Sequence, residues 1–157
     1  MNDDRYILVI ADNSQEMSIA LEYACARSKK TGRKIIIATF IEPLDVLTTQ
    51  GVTEIMKNEA REEAEKILIA AAKIVKDSTG ATPILHKREG EIITELKKLI
   101  AEEENINVLV LAANAIEKEK NPGPIISALI SKEISTLRIP VMIVPGNFSK
   151  DHISQIT

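Results

Sequence analysis

Two short stretches have residue types and spacing suited to holding a small polar molecule. The first is Asp12-Asn13-Ser14, which closes the apolar run Tyr6–Ala11. The second begins with the apolar run Val108–Ala113, passes through the polar loop Asn114–Pro124 and enters the apolar segment Ile125–Ile130. That is the layout of a phosphate-binding turn, in which main-chain N–H groups at a helix start meet an anion. A backbone that approaches a phosphate closely needs residues without Cβ, yet Gly123 is the one glycine between residues 108 and 130. The chemistry on offer is therefore recognition. There is no Gly-x-Ser-x-Gly elbow, no Walker A pattern and no histidine with an acid–base partner, so no catalytic residue is assigned. His86 and His152 have no Cys, His or paired carboxylate at metal-ligand spacing, and no metal ligand is assigned either.

These groups are carried by alternating elements. Tyr6–Ala11 reads as a buried strand, with Ser14 as the N-cap of the following helix. Met17, Ala20, Leu21, Ala24 and Cys25 recur at helical spacing, which makes Cys25 a small buried hydrophobe, and Gly32 ends the helix. Lys34–Ile41 is a second strand, closed by Glu42-Pro43. Met56 through Val75 trace a long helical stripe that ends at Gly80. Ala81–Lys87 reads as a polar edge strand, and Ile92, Ile93, Leu96, Leu99 and Ile100 as a third helical face. The most apolar strand is Asn107–Ala113. Ile125, Ile126, Leu129, Ile130, Ile134 and Leu137 predict one face of a fourth helix with Pro124 in its first turn, and Val141–Pro145 is the last strand. The expected fold is α/β, a single doubly wound, Rossmann-like five-stranded parallel sheet in the order 3-2-1-4-5 with helices on both faces. Its switch point lies between strands 1 and 4, where Asp12 and Ala112–Ala115 would line a crevice.

Composition narrows the class. The 157 residues fit one domain, expected over residues 1–146, with a polar tail over 147–157 that frays. A core with 3% aromatics and no Trp must be aliphatic, which suits a covered parallel sheet. Basic and acidic residues are mixed to a net charge of −3 with no basic stripe, so no nucleic-acid partner is expected. No apolar run approaches the roughly 20 residues of a membrane span. The acidic start Met1–Arg5 is unlike a secretory signal, and with a single cysteine it leads to a cytoplasmic address as the expectation.

In this order of elements the chain resembles the universal stress protein family, from Tyr6 to Pro145. Asp12, Ser14, Ser18, Ala20 and Leu21 fall in register with the family's first-strand signature. Glu89-Gly90-Glu91-Ile92-Ile93 is similar to its turn before the third helix, and Leu137–Pro145 to its closing segment. The resemblance implies an Asp12 contact to adenine, an apolar contact to the base from Phe40, and a phosphate loop along Ala112, Asn114, Ala115 and Ser127. The loop departs from the family pattern. Its glycines correspond to Ala112, Ala115 and Ser127, its hydroxyl residue to Ala128, two residues are inserted, and Glu117 and Glu119 enter it, offset by Lys118 and Lys120.

The leading expectation is a non-catalytic universal stress protein-like module without a cofactor, acting in stress response or signalling through an unknown protein partner. The resemblance implies a homodimer through Val141, Met142, Ile143 and Val144, an apolar edge that would otherwise be a liability. The alternative is an ATP- or AMP-binding switch with magnesium, slow hydrolysis being a variant of it. A weaker reading is a sensor for another small anion at the same helix end.

Overall fold

The computed structural model describes residues 4–42, 50–114 and 123–157. Its five strands, β1 (Tyr6–Ile10), β2 (Lys34–Ile41), β3 (Ile84–Glu89), β4 (Ile106–Ala113) and β5 (Val141–Pro145), form one sheet in the order β3-β2-β1-β4-β5. Every pairing is parallel, with Ile7 opposite Ile35 on one side and Val108 on the other. Architecture and strand order are those the sequence predicts.

Alternation along the strands divides the core. Ile7 and Val9 of β1, with Ile35 and Ile37 of β2, face α1 (Met17–Thr31) and α2 (Gln50–Thr79) through Leu21, Ala24, Leu68, Ala71 and Val75. Leu8, Ile10 and Ile36 point the other way. They meet α3 (Ile92–Glu102) at Leu96, Leu99 and Ile100, and the segment after β4 at Ile126 and Leu129. A strand buried on both faces must be apolar at every position, which is why β1 reads as an unbroken run.

Four expectations are corrected. β3 starts at Ile84, after Pro83, because proline cannot donate to the ladder. Ser14 is not the cap of α1: the N-cap is Glu16, without a side-chain bond, since the Ser14 hydroxyl is committed to Asp12. The fourth helix is α-helical only over α4 (Pro124–Ala128), then a π-helix over Leu129–Glu133 and a 3-10 turn over Ile134–Thr136. Widening and then tightening the turn shifts the apolar stripe, so Ile130 is 53% and Ile134 46% exposed instead of packed. The tail is ordered. Ser149 accepts the His152 N–H and opens α5 (Lys150–Ile156), Ile153 is buried, and Lys30 Nζ bonds the Thr157 carbonyl at 2.8 Å.

Candidate functional site

β1, β2 and β4 end at one rim of the sheet. There the chain leaves β1 towards α1 on one face and leaves β4 towards the opposite face. Crossovers that part in this way leave a crevice at the strand ends. The crevice here measures about 650 Å³, between Asp12, Phe40, Ile67, Ile93 and Ile125, within the roughly 300–1,000 Å³ typical of small-molecule pockets. A separate hollow of about 50 Å³ lies beside it between Asp12, Met17, Ala112, Gly123 and Pro124.

The larger crevice is well braced. Asp12 Oδ1 accepts the Ser14 N–H at 2.9 Å and the Ser14 hydroxyl at 2.5 Å, an Asx turn that fixes the carboxylate at the end of β1. Thr39, the buried polar residue of the described core, donates its hydroxyl to the Ala11 carbonyl at 2.9 Å, and the Ala11 N–H bonds the Ala38 carbonyl at 2.8 Å. Phe40, half-buried, follows on β2. On the far wall Glu91 caps α3, accepting the N–H groups of Ile93 at 3.1 Å and Thr94 at 2.8 Å. The Thr94 hydroxyl, bonded at 2.6 Å, and then these amides hold the Glu91 carboxyl below the usual carboxylate range.

The charge of this wall has one sign. Asp12, Glu42, Glu63 and Glu91 line it, and among the described residues no Lys or Arg does. Lys97, Lys98 and Lys132 line a hollow that shares Glu91, Ile93 and Ala128 with the crevice, and Lys57 and Arg61 line one that shares Ile41, Glu42 and Ala60. There Arg61 bonds Glu89 through Nε and, at 3.2 Å, through Nη2, which raises the Arg61 pKa and lowers that of Glu89. Near a protein surface, like charges about 4 Å apart repel by roughly 4 kcal/mol.

The small hollow is built differently. Ala112, opposite Val144 in the sheet, brings a Cβ to its wall. Gly123 opens α4 at φ 130°, a conformation that other residues rarely adopt. Pro124 at the first helical position has no N–H to offer an anion. Asn114 follows the end of β4. Ser127 sits within α4, its N–H bonded to the Gly123 carbonyl at 3.0 Å, and is on neither wall. Asp12 and Phe40 thus share the crevice, Asp12 and Ala112 share the small hollow, and Ala115, with Glu117 to Lys120, lies outside the described residues.

Three contributors have no advance signal in the residue pattern. Thr39 looks like any β-branched strand residue, and Glu91 is not among the usual helix caps. Gly146 follows β5, where a Cβ would collide with the Ala113 carbonyl and sit 3.0 Å from Glu16 Cβ. Cys25 is buried as expected. Burial pushes its thiol up, with the Ser78 hydrogen bond pulling the other way. On the sheet edge Met142 is 43% and Ile143 38% exposed, whereas Val144 is buried in the core. Among the described residues no helix is long and apolar enough to cross a membrane, and no three metal-ligating side chains come together.

Sheet order and a crevice at the switch point define an open, doubly wound α/β protein. The Universal stress protein family matches residues 5–145, and the chain belongs to that family. A search of the curated proteins finds no significant match. Among solved structures the chain is similar to a universal stress protein UspA from Lactobacillus plantarum, with a TM-score of 0.72 at 13% identity over 92% of this chain and 99% of that one. It is similar to a universal stress protein in complex with cAMP, at 0.64 and 17% over 93% and 100%. A third is the universal stress protein from Archaeoglobus fulgidus in complex with dAMP, at 0.61 and 16% over 92% and 99%. Likeness at these identities is likeness of fold.

Proposed function

We propose that this chain is a non-catalytic universal stress protein module with a degenerate nucleotide loop, acting in the cytoplasm in stress response or signalling through protein contacts. The observation that supports this reading is the narrowness of the hollow at the start of α4. The space between β1, β4 and α4 is about 50 Å³, with Ala112 where the family has glycine and Pro124 where an amide would face an anion. The groups there do not fit a triphosphate with magnesium. Self-association runs through the edge strand β5. Met142 and Ile143 supply exposed side chains and Val141 is half-buried, while the Val144 side chain is held inside. Light scattering at micromolar concentration is expected to give a dimer that Met142→Glu converts to monomer. A monomeric parent protein would remove the dimer from this proposal.

A nucleotide switch is the second reading, favoured by the 650 Å³ crevice that Asp12 and Phe40 share, in a family with relatives in complex with cAMP and dAMP. It puts adenine near Asp12 and Phe40 and phosphates towards Ala112, Asn114, Ala115 and Ser127. Calorimetric titration with ATP, ADP and AMP, with and without magnesium, decides between the readings. Absence of heat leaves the protein-interaction module. Micromolar ATP binding weakened by Asp12→Ala establishes the switch.

A further inference from the structure

We infer that the crevice selects against phosphate and takes an uncharged or cationic molecule of nucleoside size. This rests on the second reading, that the crevice is a ligand site, and it changes what that ligand is.

Three observations converge. The volume is ample for a nucleoside, and Phe40 with Ile67, Ile93 and Ile125 forms an apolar wall suited to a flat ring. Asp12 provides a fixed hydrogen-bond acceptor at the end of β1, braced by Ser14.

Charge is the second observation. The described wall carries Asp12, Glu42, Glu63 and Glu91 and no compensating base, and Glu16 adds another carboxylate on the small hollow. The nearest guanidinium, Arg61, is already bonded to Glu89.

The third observation is the narrow start of α4. An anion at a helix start is held by free amides, and among the described residues the first helical position, Pro124, has no N–H while the adjoining space is about 50 Å³. A phosphate there would face carboxylates across little space. A neutral molecule meets no such repulsion, and a positive charge is attracted by the same carboxylates.

The test is calorimetric titration of the purified chain with adenosine, AMP and ATP at one ionic strength, repeated on the double variant Glu42→Gln, Glu63→Gln. Both side chains are exposed, so the variant keeps the fold. Adenosine is expected to bind best, AMP ~10-fold more weakly and ATP more weakly still. The double variant is expected to narrow the adenosine-to-AMP gap, as is raised salt. ATP binding more tightly than adenosine overturns this inference and leaves the nucleotide switch standing. No heat with any of the three overturns the crevice as a nucleoside site, and the inference falls with it. A gap that neither salt nor the variant alters overturns the electrostatic origin of the selection.

Discussion

The two hollows at the rim of the sheet are neighbours that share Asp12, yet they are built on opposite plans. Around the larger one, side chains hold the main chain: Asp12 holds Ser14, Thr39 holds Ala11, and Glu91 holds the start of α3. The smaller one is narrow, lined by Ala112, Gly123 and Pro124, and next to it Gly146 packs close against the Ala113 carbonyl and Glu16. The two hollows rest on different elements: strand ends β1 and β2 brace the first, and the end of β4 with the start of α4 lines the second.

The sharpest way to break the contrast is Gly146→Ala. The new Cβ would meet the Ala113 carbonyl, and main chain cannot swing aside as a side chain does, so a loss of about 3 kcal/mol is expected in denaturant unfolding. If Gly146→Ala is neutral, the packing beside the smaller hollow is softer than described. Next is Thr39→Val, which keeps the shape and removes the donor to the Ala11 carbonyl. Leaving that carbonyl unpaired should lower stability by about 1–2 kcal/mol, with the difference visible in the same unfolding midpoint.

Smaller again is Asp12→Ala. It removes the Asx turn and is expected to cost about 1 kcal/mol in stability while abolishing any ligand response of the crevice in calorimetry. Loss of stability with ligand binding intact would assign Asp12 to the turn alone. The least effect belongs to Glu91→Gln, under about 1 kcal/mol, because the cap is solvent-exposed. Its carboxyl titrates lower in the folded chain than in the unfolded one, so its contribution is complete above about pH 5 and fades as pH falls through the carboxylate range near ~4. Unfolding curves of the parent and Glu91→Gln should therefore converge on acidification; a gap that widens would contradict the cap.

Much of the fold was legible because buried parallel strands must be apolar at every position, as Tyr6–Ile10 and Ile106–Ala113 largely are. Asp12 and Phe40 were legible as crevice residues through the family resemblance and the ends of their strands. The fourth helix was not. Ile125, Ile126, Leu129, Ile130 and Ile134 satisfy a 3.6-residue period, and periodicity carries no record of a turn that widens to π and then tightens. The tail was misjudged for a different reason. Ser149 with Asp151 is an ordinary helix start, and one buried residue, Ile153, suffices to dock so short a helix, too few for a pattern to form. Ser127, expected in the first turn, lies one turn into α4, with its N–H already bonded to the Gly123 carbonyl, and on neither wall.

Gly146 also constrains how the chain can vary. The end of β4, the approach to α1 and the turn after β5 meet there with no room for a single added carbon. None of the three can be lengthened or re-angled singly without moving the other two, so the edge strand that faces outward and the rim that faces the crevice are geared together with no play between them.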